Sequence, residues 1–223
     1  MTTLFEVRQD SLTSLGDGNT PPVPLARMGL PATLSKWDLF ALAGRMFTVK
    51  QTTVGTPLTG SAAAAGGIVL TAPTVRFTVP TGITVFLRRF NLSYATLAGV
   101  DNEIAVIASR TDSYTSGGTA LTPLNMMVDS AAPATSVTKC YHADSSAIVE
   151  AALTDVRALY QANIPLAFAA GESFWNTVVE WEDLIPIVGP ASVLIFVSSK
   201  TTANTHYFSL DWAEVDTVNV KAG

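Results

Sequence analysis

Apolar and polar residues alternate with a period of two along much of the chain after residue 45, which is the pattern of half-buried β-strands. Turn-forming residues, such as those at 80–82, separate the alternating stretches. The pattern predicts ten strands, over residues 46–51, 68–71, 75–79, 83–97, 103–111, 137–143, 164–169, 174–181, 192–199 and 206–215. Short strands in this number, without regularly interspersed helices, predict an all-β fold, either a β-sandwich or a jelly roll.

The stretch 83–97 is the longest predicted strand and is too long to be uniform, so a bulge or bend is expected within it. Strict alternation would place Val85, Leu87 and Arg89 on one face of this strand. The same alternation would place Phe90 and Leu92 on the opposite face.

One short helix is predicted over residues 33–43, with Thr33 or Ser35 as its N-cap and Gly44 as its stop signal. The segment 146–160 fits either a second helix or a strand, because it combines helical spacing of apolar residues with Val and Thr. The segment 16–24 combines Gly, Asn and Pro, and residues 1–32 are therefore predicted to form an irregular N-terminal arm. The predicted organisation is an extended arm with a short helix over 1–45 and a jelly-roll-like β-sandwich over 46–223.

The composition excludes several classes of protein. Hydrophobic residues make up 48% of the chain and charged residues 14%, whereas disordered chains have the opposite balance. Ala, Thr and Val account for 80 of the 223 residues, and residues typical of long helical proteins are scarce. The longest apolar stretch, 184–197, is shorter than a transmembrane helix and is interrupted by Pro186, Gly189 and Pro190. No association with a membrane is expected.

Charge and cysteine content narrow the possibilities further. The net charge is −5 and no basic run exceeds Arg88 and Arg89, so nucleic acid is not an expected partner. Cys140 is the only cysteine, and therefore no intrachain disulfide is expected. Residues 1–10 lack a basic region followed by an apolar one, so the sequence predicts no signal peptide and synthesis in a reducing cytoplasm.

Motifs for covalent chemistry or ligand binding are weak. No glycine-rich phosphate loop and no Gly-x-Ser-x-Gly elbow is present. Cys140 and His142 would share a face of one strand, as in a thiolate–imidazole pair, but a small buried cysteine beside an incidental histidine is favoured. One cysteine and two distant histidines do not supply a zinc site, and the acidic stretch 101–103 fits a turn better than a calcium site.

Two further sets of residues carry alternative functions. Glu180 and Glu182 flank Trp181 with the spacing of a glycosidase carboxylate pair, although the solvent face of an amphipathic strand with Trp181 turned inward is favoured. An exposed row of aromatic residues would make a glycan-binding platform, but core packing is favoured for them. The aromatic residues concerned are Trp175, Trp181, Tyr207 and Trp212. The sequence therefore predicts no catalytic, cofactor-binding or metal-binding residues.

One stretch is distinctive enough to compare with a known family. Residues 111–126 read TDSYTSGGTALTPLNM, and they follow a strand that begins with VPTGI at 79–83 and reaches Phe90 and Asn91. This part of the chain, 78–125, resembles a segment of structural proteins from tailed-bacteriophage particles, of the capsid cement or decoration type. The resemblance implies a β-rich virion subunit without catalysis, and a homotrimer is expected for a cement protein.

The expected function follows from these observations together. The resemblance implies a virion protein on the outer capsid surface that binds between major capsid protein subunits and stabilises the head. Weakly charged, Ala- and Thr-rich surfaces suit contacts with neighbouring subunits, because interface cores are depleted in charge. The arm before Trp37 is expected to be ordered by a partner. The alternative is a tail, neck or fibre component with a glycan-binding β-sandwich.

Overall fold

The computed structural model describes nine stretches of the chain, which are residues 35–50, 55–62, 68–96, 102–127, 135–144, 146–153, 155–164, 176–199 and 204–220. The predicted arm over 1–32 lies outside the described residues, as does most of the predicted strand 164–169.

Short strands dominate the described chain, with one α-helix, α1 (Lys36–Leu42), and a 3-10 turn at Thr217–Asn219. The first eight strands are β1 (Met46–Lys50), β2 (Leu58–Thr59), β3 (Ser61–Ala62), β4 (Val75–Val79), β5 (Ile83–Thr96), β6 (Asn102–Ser109), β7 (Tyr114–Ser116) and β8 (Thr119–Leu121). The others are β9 (Leu124–Asn125), β10 (Lys139–His142), β11 (Val149–Glu150), β12 (Val156–Ile164), β13 (Asn176–Glu180), β14 (Pro186–Val188), β15 (Ala191–Ser199) and β16 (Thr205–Asp216).

Two large sheets form a sandwich. The first sheet has the order β13-β5-β16-β1-β9, with β14 beside β5 and β2 beside β16. The second sheet has the order β12-β6-β15-β4-β10-β8, with β3 pairing in parallel with β15 while the other pairs are antiparallel. The prediction of an all-β sandwich with few helices is confirmed.

The core lies between the two sheets. Phe77 of β4 meets Trp212 of β16 edge to face, with ring centroids 4.7 Å apart, and Phe47 of β1 stacks near the same indole. All three side chains are almost completely buried. Aromatic side chains that pack across the gap hold the sheets together, because each removes a large apolar area from water.

The expected irregularity in the longest strand is confirmed: the pairing with β16 shifts register near the end of β5, between Tyr94 and Thr96, and again at Arg88 in its middle. In the pairing of β5 with β16, Asp211 faces Arg89 while the next residue, Trp212, faces Leu87. Arg88 is therefore an extra residue on β5 without a partner on β16, which is the definition of a β-bulge.

The bulge overturns the predicted assignment of faces in β5. Val85 and Leu87 point into the core before the bulge, and Phe90 and Leu92 point into the same core after it. Strict alternation had placed these two pairs on opposite faces. The extra residue reverses the alternation, so Val85, Leu87, Phe90 and Leu92 all face the core between the sheets, whereas Phe86 faces the outer side.

The helix α1 confirms the local prediction and covers the outer face of the first sheet. Ser35 is the N-cap, since its hydroxyl accepts a hydrogen bond from the Asp38 backbone N–H at 3.2 Å and the Asp38 carboxylate accepts one from the Ser35 N–H at 3.0 Å. This reciprocal pair is a capping box. Phe40 stacks on Phe86 of β5 with centroids 5.8 Å apart, which fixes the helix against the sheet.

Two predicted elements differ in the structure. Residues 68–71 form a turn and not a strand, because Ile68 packs on the outer face of the second sheet instead of pairing within it. In the ambiguous segment 146–160, the described residues form β11 and the start of β12 and include no helix. Most residues of β12 are exposed or only partly buried at the sheet edge. The apolar spacing that suggested a helix therefore does not correspond to a buried helical face.

A two-stranded ribbon, β7 paired with β11, forms a partial third layer over the second sheet. The backbone of Glu150 donates to Thr71 and the backbone of Ala151 donates to Ser113, both at distances below 3.0 Å. One strand of this ribbon, β7, contributes to a wall of the cleft described below.

A pair of glycines gives a matched test of the ribbon. Gly117 and Gly82 both have φ near +85°, but a Cβ at Gly117 would overlap the Ala147 carbonyl oxygen, whereas one at Gly82 would meet open space. Gly82→Ala is expected to cost about 1 kcal/mol and Gly117→Ala about 2–4 kcal/mol of unfolding free energy. Urea denaturation of both variants measures the difference. Equal losses would contradict this packing of the ribbon.

Candidate functional site

An exposed apolar surface lies where α1 meets the edge strand β9. We name it the α1–β9 surface, and its residues, each between 38% and 65% exposed, are Leu39, Leu42, Leu124, Met126 and Met127. The two parts are tied together, because the Asn125 side-chain amide donates to the Gly44 carbonyl oxygen at 2.9 Å. The Met126 backbone N–H also donates to the Met46 carbonyl oxygen at 2.9 Å. The surface is thus fixed in shape.

The sequence explains why these side chains point outward. On α1, Trp37 and Phe40 face the first sheet, which leaves Leu39 and Leu42, three residues apart, on the opposite side. Among the described residues β9 pairs only with β1, so it is the last strand of the described part of the first sheet. A sheet edge beside apolar side chains is a surface that a second chain can cover.

A cleft with a volume of about 360 Å³ lies on the outer side of the second sheet. We name it the Tyr114–Tyr141 cleft, and the residues that matter here are Arg76, Thr81, Asp112, Tyr114, Lys139 and Tyr141. Its walls come from β4, β10 and the ribbon strand β7.

A buried arginine organises this cleft. Arg76 is 1% exposed, and its Nε donates to Oε1 of Glu150 at 2.5 Å. Its remaining guanidinium nitrogens donate to Thr78, Asp112 and Ser192. The charge is therefore paired and its hydrogen bonds are made, which is the condition for tolerating a buried ion.

Aromatic stacking completes the arrangement above Arg76. The Tyr114 ring stacks on Tyr141 of β10 with centroids 5.1 Å apart. The Arg76 guanidinium lies 4.6 Å from the centre of the Tyr114 ring. The Tyr114 hydroxyl donates to the Gly117 carbonyl oxygen at 2.6 Å. The ribbon is thus held to the sheet by stacking, a cation–π contact and an ion pair.

Sequence reasoning missed this cluster. Arg76 alternates with Val75 and Phe77 and therefore reads as an outward residue on an amphipathic strand. Its burial depends on a ribbon formed from two distant segments, which include Asp112 and Glu150. No local pattern signals that contact.

Two histidines lie buried between the sheets. His142 of β10 and His206 of β16 have ring centroids 5.8 Å apart, and the Asp144 backbone N–H donates to His142 Nδ1 at 2.8 Å. Burial lowers the pKa of His142 to about 4. Burial, together with the nearby His142, lowers the pKa of His206 to about 3. Both rings are therefore neutral at pH 7.

The favoured interpretation of Cys140 is confirmed. Its thiol is buried in the core between the sheets, and burial raises its pKa to about 12. A thiolate is the reactive form of cysteine, so this side chain packs as a small apolar residue beside His142 and is not poised as a nucleophile.

The carboxylates and Trp181 lie as the favoured interpretation expects. Glu180 ends β13 and is exposed, and its Oε1 lies 3.3 Å from Nε of Arg89 on the neighbouring strand. Glu182 is also exposed, beyond the end of the strand, while Trp181 is buried in the core. The two acids therefore lie at the surface around an inward indole.

Two of the predicted aromatic residues, Trp181 and Trp212, are buried and cannot contribute to an exposed platform. Tyr207 is half-buried, and its hydroxyl donates to the Gly55 carbonyl oxygen at 3.2 Å. Trp175 lies outside the described residues. Core packing is confirmed for Trp181 and Trp212.

The acidic stretch 101–103, possible metal-binding clusters and possible membrane-spanning helices are the last features to place in the structure. Asn102 is buried at the start of β6 and accepts a hydrogen bond from the Asn204 amide at 3.2 Å, while Asp101 lies outside the described part of the chain. Within that part, no three His, Cys, Asp or Glu side chains come close enough to share a metal ion. None of its helices is long and apolar enough to cross a bilayer.

Comparison with known proteins finds no matching family model, no similar curated protein and no similar solved structure.

Proposed function

We propose that the chain is a virion structural protein of a tailed phage, a capsid cement or decoration protein that binds between major capsid protein subunits. The observation that carries the proposal is the α1–β9 surface, an exposed apolar patch beside a sheet edge. The similarity of residues 78–125 to such virion proteins supports the same assignment. On this proposal the protein lies on the outer capsid surface.

The exposed side chains of the α1–β9 surface are grouped together and apolar. Single exposed leucines or methionines are ordinary on a protein surface, but several that share one edge mark a site of contact. Interface cores are poor in charge, and methionine is enriched there. The five side chains of the α1–β9 surface include no charged group, and the mean hydropathy of the chain is positive. These properties suit contact with another copy and with the shell.

The proposed mechanism is mechanical stabilisation. A subunit that binds only the assembled shell lowers the free energy of that state and not of the free capsid subunits. A homotrimer would hold three contact points at fixed distances and bridge several shell subunits at once. The net charge of −5 opposes contact with the phage genome and supports the outer location.

Substitutions on the α1–β9 surface are expected to dissociate the oligomer. The wild-type chain of 23.5 kDa is expected to behave as three copies, about 70 kDa, in light scattering coupled to size exclusion. The combined variant Leu42→Ser, Leu124→Ser and Met127→Ser is expected to give the mass of one copy. The replaced side chains are exposed, so the substitutions should have little effect on the stability of the folded single subunit, as measured by its melting temperature.

The matched control replaces two exposed valines elsewhere, Val218→Ser and Val220→Ser, near the 3-10 turn. This control should keep the wild-type mass. A wild-type chain that is monomeric, or a mass lowered equally by both variants, would contradict the role assigned to the α1–β9 surface.

A further inference from the structure

The Tyr114–Tyr141 cleft has the size and the lining of a small-molecule site. Its volume of about 360 Å³ is near the lower end of the range for ligand pockets, about 300–1,000 Å³. Tyr114 and Tyr141 provide aromatic surface, while Lys139, Asp112 and Thr81 provide polar groups along the same walls. Such a mixture fits a small ligand that has both C–H faces and hydroxyl groups.

Several polar groups in the cleft have unused hydrogen-bonding capacity. Among the described residues, the Lys139 ammonium and the hydroxyls of Tyr141 and Thr81 have no hydrogen-bond or ion-pair partner. Asp112 uses Oδ1 for Arg76 and for the Tyr114 backbone N–H, and its side chain remains 41% exposed. The cleft thus offers donors and a carboxylate acceptor at its surface.

The walls of the cleft are held in place before any ligand binds. Arg76 fixes Asp112 through an ion pair and faces the Tyr114 ring, and Tyr114 is also fixed by stacking on Tyr141. Ser113 donates to Oε2 of Glu150 at 2.8 Å, which anchors the ribbon next to the cleft. A site whose side chains are already ordered loses less conformational entropy on binding.

Charge balance indicates the class of ligand. The exposed Lys139 and the half-exposed Asp112 carry opposite charges, and the buried Arg76 is paired with Glu150. The cleft therefore does not select for a strongly anionic ligand such as a phosphate. We propose that it binds one or two neutral sugar residues, with a C–H face of the sugar against the tyrosines and its hydroxyls bonded to Lys139 and Asp112.

The proposal is independent of assembly through the α1–β9 surface. That surface belongs to the first sheet, whereas the cleft lies on the outer side of the second sheet. Sugar binding would give the protein an adhesive role in addition to shell stabilisation. The dissociated Leu42→Ser, Leu124→Ser, Met127→Ser variant should keep its sugar affinity. A failure of the assembly proposal therefore leaves the sugar-binding proposal intact, and the reverse is also true.

The test uses the full chain and a defined set of sugars. A glycan array selects ligands, and methyl glycosides of glucose, galactose, mannose and N-acetylglucosamine are titrated into isotope-labelled protein by NMR. A dissociation constant of about 1 mM is expected for a single residue. The largest amide shifts are expected at 112–114 and 139–141.

Variants establish the site. Tyr141→Ala and Lys139→Ala are each expected to weaken binding about tenfold or more. Tyr207→Ala, a half-buried tyrosine outside the cleft, is the matched control and should change affinity less than about twofold. Lys139→Ala removes an exposed side chain, so it reports on binding even where Tyr141→Ala fails to fold. Absence of sugar binding, binding with shifts elsewhere, or binding of peptides alone would overturn the proposal.

Discussion

Replacing Arg76 by methionine is expected to lower the free energy of unfolding by about 3–5 kcal/mol. The guanidinium is the partner of a fully buried carboxylate, Glu150, and removing it leaves that charge without compensation. The contact with Tyr114 is lost as well, so the ribbon formed by β7 and β11 loses its anchor. Urea denaturation monitored by tryptophan fluorescence measures the loss.

Two further variants separate this explanation from a general effect of losing arginine. Arg89→Met breaks an exposed pair with Glu180 and is expected to cost less than about 1 kcal/mol. Adding Glu150→Gln to Arg76→Met removes the stranded charge and should recover part of the stability. Equal losses for Arg76→Met and Arg89→Met would contradict the proposed role of the buried ion pair.

Acid is expected to destabilise the protein strongly through the two buried histidines. Their pKa values are lowered from 6.5 to about 4 for His142 and about 3 for His206. Below pH 6.5 the unfolded chain therefore binds protons that the folded chain excludes, so stability present at pH 7 is lost as the pH falls toward 3. The loss between pH 7 and pH 4 is expected to be on the order of 5 kcal/mol.

The measurement is the free energy of unfolding at several pH values between 7 and 4 for the wild type and for His206→Leu. The nearby Asp144 favours the charged form of both rings, but burial opposes it more strongly. In the variant, the free energy of unfolding is expected to change with pH about half as steeply as in the wild type. This holds whatever the stability of the variant at pH 7, because the steepness depends on how many more protons the unfolded chain binds than the folded chain. A wild-type stability that is flat over this range, or an unchanged slope in the variant, would disprove the assignment.

Local features of the fold could be predicted from the sequence. Ser35, Asp38 and Gly44 mark the ends of α1 through capping chemistry that depends only on neighbouring residues. The alternation in β4 and β16 likewise predicted strands, and the inward position of Trp212 follows from its place in that alternation. These signals are local, so they are visible in a single sequence.

Features that depend on distant pairing could not be predicted. The bulge at Arg88 is defined by the register against β16, so the buried face of β5 could be assigned only from the pairing. Arg76 is buried by segments 36 and 74 residues away along the chain, at Asp112 and Glu150. The α1–β9 surface depends on Asn125 reaching Gly44, another long-range contact. Each of the candidate sites is of this kind.

The central claim is that this chain binds the outside of a phage head. Electron cryomicroscopy of purified particles whose genome encodes the chain tests it most directly. The proposal predicts density for the sandwich on the outer capsid surface, in groups of three, with the α1–β9 surface of each copy in contact with a neighbouring copy. Particles in which the protein is absent from the capsid exterior, or lies only in the tail, would contradict the proposal.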